Sequence, residues 1–167
     1  MKVLIVSDTH GKREALERVI QEESFDALVH CGDLEGQESY LEEAVDCPVY
    51  MVAGNNDFFS NLDREMEIEL GGTRVMITHG HYYGVSIDLG ELMDEARSRE
   101  VPVVLFGHTH RPVISERHGV TAVNPGSLAY PRQKGREPSY VVLTISPDGK
   151  FHFEIKYLTL SGKSPAS

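Results

Sequence analysis

Seven side chains that commonly bind metal ions lie at or just after the ends of short apolar segments of the chain. They are Asp8, His10, Asp33, Asn55, His79, His108 and His110. The apolar segments are rich in Val, Ile and Leu, which is typical of strands buried on both faces of a sheet. Ligands of parallel sheets bind at the carboxyl ends of the strands, so five such strand ends predict one shared site. A single Asp or Asn in this position would instead be interpreted as a helix cap or a turn residue.

The chemistry of this set indicates metal-assisted hydrolysis. Carboxylate, amide and imidazole ligands without a thiolate suit divalent ions such as manganese, iron, zinc or cobalt. Seven ligands exceed what one tetrahedral ion needs, whereas two ions that share a carboxylate could use all of them. Two ions roughly 3.5–4 Å apart can hold the attacking and leaving oxygens of an in-line displacement at phosphorus.

The elements that must position these residues alternate in type along the first third of the chain. Apolar runs within residues Lys2–Ser7, Asp26–Asp33 and Pro48–Asn55 predict three strands. The segments between them can be helical, and the first has an apolar face formed by Ala15, Leu16, Val19 and Ile20. This β-α-β-α-β order predicts a parallel sheet with crossover helices.

The rest of the chain predicts further strands and one more helix. Met66, Ile68 and Leu70 alternate with polar residues, and Gly71–Gly72 is typical of a hairpin turn. The helix has an apolar face formed by Leu89, Leu92, Met93 and Ala96. We therefore expect an α/β fold in which two sheets pack face to face with helices outside.

Length and composition indicate one domain with its own core. Of the 167 residues, 40% are hydrophobic and 25% are charged, which is ordinary for a globular protein. We predict a single domain over residues 1–160 and a polar tail, residues 161–167, that frays. The net charge of −10 disfavours nucleic acid and anionic membranes as partners, so an anionic substrate needs a local positive centre.

Two further features favour a cytoplasmic location. The two cysteines, Cys31 and Cys47, form no Cys-x-x-Cys motif, which is typical of a protein from a reducing compartment. The first apolar run is too short for a signal peptide, and no segment is long enough to span a bilayer. We therefore expect a cytoplasmic protein without a membrane partner.

Five short motifs occur in an order that resembles one enzyme family. They are Asp8–His10 (DTH), Gly32–Asp33 (GD), Gly54–Asp57 (GNND), Thr78–His81 (THGH) and Gly107–His110 (GHTH). Together they resemble the calcineurin-like metallophosphoesterases. The short chain and the later Asn124–Ser127 (NPGS) resemble the small bacterial and archaeal phosphodiesterase branch of that family. The resemblance extends from Lys2 to about Leu158 and implies a four-layer α/β/β/α sandwich of two mixed sheets with flanking helices.

The resemblance also implies a role for each ligand. The first metal ion would be held by Asp8, His10 and His110. The second would be held by Asn55, His79 and His108. Asp33 would bridge the two ions. We expect two divalent ions, manganese first, with iron, zinc, cobalt and nickel as alternatives. Gly107 would be the hinge that allows His108 and His110 to face different ions.

Two positions depart from the family pattern. Gly36 stands where larger members often carry an acid, a change we expect to affect the surroundings of the ligands rather than the ligands. Asn56 stands where many phosphatases of the family carry a histidine proposed to protonate the leaving group. An amide cannot donate a proton at neutral pH, which favours substrates with good leaving groups. His81, two residues after His79, is the nearest candidate to replace that histidine.

The implied activity is hydrolysis of a phosphodiester by attack of a metal-bridging hydroxide in line with the leaving group. Asp33, Asn55 and His81 are the predicted catalytic residues. The expected partner is a small phosphoester substrate, and relatives of this branch often form dimers or tetramers. Arg132 and Arg136 either hold phosphate or belong to a solvated loop. The same alternatives apply to Arg111, whereas Asn124 and Ser127 are expected to form a turn behind the site.

Other functions stay open at this level. The chain could be a phosphomonoesterase acting on a small metabolite or a phosphoprotein. It could also be a protein-binding scaffold with a vestigial metal site, because a eukaryotic retromer subunit resembles the same branch. The seven intact ligand positions argue against the scaffold. A nuclease is disfavoured because such members have extra domains and basic grooves, whereas this chain is short and acidic.

Overall fold

The computed structural model describes residues 1–159, so the predicted fraying of residues 161–167 lies outside the described residues. The strands are β1 (Lys2–Val6), β2 (Ala27–His30), β3 (Val49–Met51), β4 (Glu65–Leu70), β5 (Thr73–Thr78), β6 (Val103–Leu105), β7 (Pro112–Arg117), β8 (Val120–Pro125), β9 (Ser139–Ile145) and β10 (Phe151–Tyr157). The helices are α1 (Glu14–Glu22), α2 (Glu38–Ala44) and α3 (Gly90–Ser98), and a 3-10 turn spans His81–Tyr83. Within residues 1–159 no helix is both long and apolar enough to cross a membrane.

The strands form two mixed sheets of five strands each. The first sheet has the order β10-β9-β1-β2-β3. In it β1, β2 and β3 are parallel, β9 is antiparallel to β1, and β10 is antiparallel to β9. The second has the order β4-β5-β6-β8-β7, in which β5, β6 and β8 are parallel. Strands β4 and β7 pair antiparallel at its two edges. The predicted α/β fold with two mixed sheets is confirmed.

An apolar cluster fills the space between the two sheets. Val3 and Ile5 of β1 are buried in it together with Val75 and Ile77 of β5. Leu70 is also buried there, and its predicted neighbours on β4 pack against the same cluster. Because alternate residues of a strand point to opposite faces, the other residues of β1 belong to a different cluster.

The helices cover the outer faces of the sheets. Leu16 and Val19 of α1 and Leu41 of α2 pack on Leu4 and Val6, which point outward from β1. On the second sheet, the outer cluster includes the predicted apolar face of α3, namely Leu92, Met93 and Ala96. Three apolar clusters therefore separate four layers, helix, sheet, sheet and helix, as the resemblance implied.

The topology brings the functional loops together. Strands β1, β2 and β3 are parallel, so the loops that follow them leave the same edge of the first sheet. The loops after β5 and β6 leave one edge of the second sheet for the same reason. Two hydrogen bonds join these edges, from His79 Nδ1 to the Cys31 carbonyl oxygen (2.8 Å) and from His108 N to Asp8 Oδ2 (3.1 Å).

Candidate metal centre

The structure brings all seven predicted ligands to this junction between the sheets. The first sheet contributes Asp8, His10, Asp33 and Asn55 from the loops after β1, β2 and β3. The second contributes His79, His108 and His110 from the loops after β5 and β6. Asp8 and His79 are fully buried, whereas Asn55 is exposed. The centre therefore has a buried floor and an open rim.

The backbone at most of these residues is strained. The left-handed region is occupied by Asp8 (φ 54°), His10 (φ 47°), Asp33 (φ 60°), His108 (φ 72°) and His110 (φ 61°). Residues other than glycine rarely adopt this conformation, and such strain concentrates at functional sites. Hydrogen bonds between the loops stabilise this strained backbone, for example the bond from Asp8 N to the Gly32 carbonyl oxygen (3.0 Å).

Two buried carboxylates form the centre of the cluster. Oδ1 of Asp8 lies 3.2 Å from Nε2 of His110 and 3.7 Å from Nε2 of His79. Oδ2 of Asp33 lies 3.4 Å from Nε2 of His79 and 3.7 Å from Nε2 of His10. Two overlapping groups could each hold a metal ion. One is formed by Asp8, His10 and His110, and the other by Asp8, Asp33 and His79.

Three histidines present the same ring nitrogen to the centre. Nδ1 of His10 donates to Glu35 Oε1 (3.0 Å), and Nδ1 of His110 donates to the Tyr130 carbonyl oxygen (2.7 Å). His79 donates in the same way to the Cys31 carbonyl oxygen. Each bond fixes the ring and leaves Nε2 facing the carboxylates, which is the arrangement usual for metal-bound histidines.

His108 is oriented differently. Its Nδ1 lies 3.2 Å from Oδ1 of Asn55, and its ring lies 5.2 Å from the ring of His79. His108 thus contacts both Asn55 and His79. The two histidines of the Gly107–His110 motif diverge accordingly, since His110 Nε2 lies 3.2 Å from His10 Nε2.

The charges of the centre fit divalent cations. Burial alone would raise the pKa of Asp8 and Asp33, but the neighbouring histidines outweigh it and lower both values. Within residues 1–159 no Lys or Arg lies within ion-pair distance of either carboxylate. Asp8 Oδ1 and His79 Nε2 are buried there without a hydrogen-bond partner. Ionised carboxylates and unpartnered ligand atoms are costly to bury, and metal ions would satisfy both.

Comparison with known proteins identifies the family. A sequence model of the calcineurin-like phosphoesterase superfamily domain matches residues 1–148. The chain belongs to the calcineurin-like phosphoesterase superfamily. A probable metallophosphoesterase of Bacillus subtilis is 35% identical over 152 residues, which are 89% of this chain and 86% of the relative. A phosphodiesterase of Methanocaldococcus jannaschii is 30% identical over 145 residues, 75% of this chain and 83% of the relative.

Solved structures show the same superfamily fold. A predicted phosphoesterase of Streptococcus pneumoniae matches with a TM-score of 0.80 and 30% identity, covering 93% of this chain and 88% of that one. Vps29 of Entamoeba histolytica, solved as a complex with zinc, matches with a TM-score of 0.73 and 25% identity. That match covers 94% of this chain and 99% of Vps29. The predicted family is confirmed, and it implies divalent metal ions at the candidate centre.

Asn56, the position at which the chain departs from many superfamily phosphatases, contacts Asp33. Its backbone N donates to Asp33 Oδ1 (2.8 Å) and its side-chain Nδ2 donates to Asp33 Oδ2 (2.9 Å). These bonds also help to lower the pKa of Asp33. Asn56 therefore fixes the carboxylate that lies between His10 and His79.

His81, the predicted replacement for the superfamily histidine, borders the second group of ligands. Its ring centre lies 5.4 Å from that of His79 and 6.0 Å from that of His108. Burial, followed by the charges of these two histidines, lowers the pKa of His81 to about 4. A ring in this state accepts a proton rather than donates one, so the role of His81 as a proton donor stays a prediction.

Asp57 is a site residue that the sequence did not single out. Its Oδ2 accepts from the backbone N of Asp33 (2.8 Å), Leu34 (3.3 Å) and Gly54 (2.8 Å). Its Oδ1 accepts from the backbone N of Glu35 (2.7 Å). One carboxylate thus joins the loops after β2 and β3. Its place in the Gly54–Asp57 motif was the available signal.

Buried polar residues support the loops after β1 and β6. Thr9 Oγ1 hydrogen bonds to His30 Nε2 (2.9 Å) and to Gln37. Ser127 Oγ donates to the Asp8 carbonyl oxygen (2.7 Å), and Asn124 Nδ2 donates to the Gly107 carbonyl oxygen (3.1 Å). The turn that contains Asn124 and Ser127 therefore lies behind the site, as expected.

Gly107 lets the loop after β6 pack closely on the end of β1, and its backbone shows no sign of the predicted hinge. The φ of Gly107 lies outside the left-handed region, so the backbone conformation at this position does not require glycine. A Cβ atom at this position would clash with Ser7 Oγ and lie 2.7 Å from Asp8 Oδ2. The glycine is needed because the loop after β6 passes directly over the end of β1. Gly36 is the other position that departs from the family pattern, and a Cβ added there would meet open space.

Proposed function

We propose that the protein is a phosphodiesterase that works with two divalent metal ions. The observation that carries this proposal is the convergence of three histidines, His10, His79 and His110, on the two buried carboxylates of Asp8 and Asp33. The unpartnered Asp8 Oδ1 and His79 Nε2 support it further, because these two buried atoms lie 3.7 Å apart. Membership of the superfamily and the phosphodiesterase name of one relative agree with this activity.

The ligands divide between two positions. Asp8, His10 and His110 would hold the first ion. Asn55, His79 and His108 would hold the second. Asp33 would bridge them, since its Oδ2 lies near a histidine of each group. Two such ions, when bound, lower the pKa of water and offset the negative charge of a phosphate undergoing in-line attack.

The residues around the ligands determine what the site can accept. His10, Asn55 and His108 are accessible at the rim, so a phosphate can reach the centre from solvent. Asn56 holds Asp33 in place through two hydrogen bonds. Because Asn56 cannot supply a proton, esters with good leaving groups are the preferred substrates. His81 is the candidate for proton transfer at the Asn55 and His108 side.

We also propose manganese as the metal. The ligand types admit manganese, iron, zinc, cobalt or nickel, and the resemblance to the small phosphodiesterase branch favours manganese. A cytoplasmic location, a small phosphoester as substrate and assembly into a homo-oligomer complete the proposal. The net charge of −10 argues against nucleic acid as the substrate.

The test compares ligand variants on two simple esters. Asp33→Asn and His108→Ala are stripped with chelator, reloaded with Mn²⁺ and assayed on bis(p-nitrophenyl) phosphate and p-nitrophenyl phosphate. We expect each variant to lose more than about 100-fold in kcat/KM on the diester, because metal binding and charge are both affected. His118→Ala is the control, since His118 is exposed in the turn between β7 and β8. Near wild-type rates in both ligand variants would contradict the proposal.

The same assay separates two other functions. A monoesterase would hydrolyse p-nitrophenyl phosphate faster than the diester. A scaffold would bind the metal but hydrolyse neither ester with any of the five candidate metals. The protein-binding scaffold is the second candidate, because the chain shares its fold and 25% of the aligned residues with Vps29.

A further inference from the structure

A cleft opens beside the metal centre on the side of the first ion. Its lining residues are His10, His110, Arg111, Tyr130, Pro131, Arg132 and Arg136. Because His10 and His110 belong to both, the cleft is continuous with the centre. Its volume of about 770 Å³ is in the range of pockets that hold small organic ligands.

The cleft is strongly cationic. Arg111, Arg132 and Arg136 are exposed, and within residues 1–159 none of them forms an ion pair. Lys12 adds a fourth positive charge, with its Nζ 4.2 Å from the ring centre of Tyr130. The lining contains no Asp or Glu. In a chain with 26 acidic and 16 basic residues, such a group of uncompensated cations is unexpected unless an anion binds to it.

The wall of the cleft is attached to the metal centre. Arg132 N donates to the carbonyl oxygen of His110 (3.0 Å), and His110 Nδ1 donates to the carbonyl oxygen of Tyr130 (2.7 Å). Arg136 N donates to the Gln133 carbonyl oxygen (3.0 Å). These bonds therefore fix the backbone of the loop beside a predicted ligand, so that Arg132 and Arg136 start from defined positions at the cleft.

Two other pockets border the centre and are less cationic. One is lined by Glu35, Glu38 and Asp57 together with the exposed rings of Phe58 and Phe59. The other, beside Asn55 and His81, contains one cation, Arg64, and the carboxylate of Asp57. Because carboxylates repel anions, an anionic group of the substrate is best placed in the cleft beside His110.

We propose that the cleft binds a second phosphate of the substrate, beyond the phosphate that is hydrolysed. The preferred substrates are then phosphodiesters that carry a further phosphate on one arm. Guanidinium groups suit this role because they donate paired hydrogen bonds to phosphate oxygens. The inference rests on the proposed phosphodiesterase activity and specifies its substrate class.

The kinetic test uses two esters that differ by one phosphate. They are the p-nitrophenyl ester of thymidine 5′-phosphate and the same ester with a 3′-phosphate. We expect wild-type protein to prefer the second ester about tenfold in kcat/KM, and Arg132→Ala/Arg136→Ala to reduce the ratio to about one. The control Arg97→Ala/Arg117→Ala removes the same charge from exposed positions outside the cleft and should keep the ratio. Salt should weaken the wild-type preference.

A binding measurement tests the cleft independently of turnover. Calorimetry with thymidine 3′,5′-bisphosphate and metal-free protein should give a Kd about tenfold weaker for the cleft variant than for wild type or control. A wild-type ratio near one, a ratio unchanged in the cleft variant, or equal affinities in all three proteins would overturn the inference. Failure to hydrolyse either ester would contradict the phosphodiesterase, while the binding result would still decide whether the cleft holds phosphate.

Discussion

At the scale of single residues, Asp57 illustrates how much of the site depends on groups outside the predicted ligand set. Its carboxylate accepts four backbone hydrogen bonds and joins the loops that carry Asp33 and Asn55. Each donor would be left unsatisfied in a partly buried loop without it. The Asp57 carboxylate therefore has a structural role. Its neighbour Asn56 has a complementary role, because it hydrogen bonds to Asp33 directly.

We predict that Asp57→Asn lowers the free energy of unfolding by about 2–3 kcal/mol, because an amide nitrogen cannot accept a hydrogen bond from backbone N–H groups. Urea denaturation followed by circular dichroism measures the change. Asp63→Asn is the matched control, since Asp63 is exposed and should change stability by less than about 0.5 kcal/mol. Equal stabilities of the two variants would show that the bonds to Asp57 contribute little.

The structure brings the seven predicted ligands to one place, whereas most of the residues that support them were not predicted. A local pattern marks most of the ligands, because five stand beside a glycine at a strand end: His10, Asp33, Asn55, His79 and His108. The roles of Asp57 and His30 depend on loops that are more than twenty residues away along the chain, as in the bond from Asp33 N to Asp57. Such contacts follow from the packing of the sheets and leave no local periodicity.

At the scale of elements, hydrophobic periodicity predicted the type and order of the strands and helices. Their ends are determined by tertiary contacts. The apolar run within Pro48–Asn55 predicted a strand, but pairing with β2 stops at Met51. Beyond that point Ala53 N donates to the Asp63 carbonyl oxygen, which turns the chain toward the site. The 3-10 turn His81–Tyr83 was not predicted, and it is bounded by Gly80 and Gly84 with positive φ.

The end of α1 is held by an ion pair that should depend on pH. Glu23 Oε1 accepts from Lys156 Nζ of β10 (2.6 Å) and from the Tyr140 hydroxyl of β9 (2.8 Å). Burial alone would raise the pKa of Glu23, but these two donors outweigh it and lower the value. A carboxyl group with a lowered pKa in the folded state stabilises the fold above its unfolded pKa and loses this effect as the pH falls through the folded pKa.

We therefore predict that Glu23→Gln reduces stability by about 1 kcal/mol at pH 7 and by much less at pH 3. The estimate is modest because Lys156 is 37% exposed and solvent screens the pair. Urea denaturation of wild type and variant at both pH values gives the difference. Glu42→Gln, at an exposed position of α2, should show no pH-dependent difference from wild type. A constant cost of Glu23→Gln at both pH values would argue against the ion pair.

At the scale of the whole molecule, the candidate metal centre connects two sheets that otherwise meet through an apolar interface. Asp8, Asp33 and Asn55 come from the first sheet, whereas His79, His108 and His110 come from the second. Metal ions at this junction would bind the folded arrangement and not the separated strands. Binding energy therefore adds to the stability of the entire fold.

We predict that Mn²⁺ at about 100 times its Kd stabilises the protein by about 2.7 kcal/mol for each ion bound, or about 5–10 °C in Tm per ion, relative to chelator-treated protein. Asp33→Asn should lose most of this shift, because the carboxylate between His10 and His79 would carry no charge. His118→Ala should keep the full shift, since it lies away from the junction. Differential scanning calorimetry with and without Mn²⁺ measures all three proteins and requires no substrate. An equal shift in Asp33→Asn and wild type would mean that the stabilising metal binds elsewhere, because a centre without its bridging charge cannot hold two dications equally well.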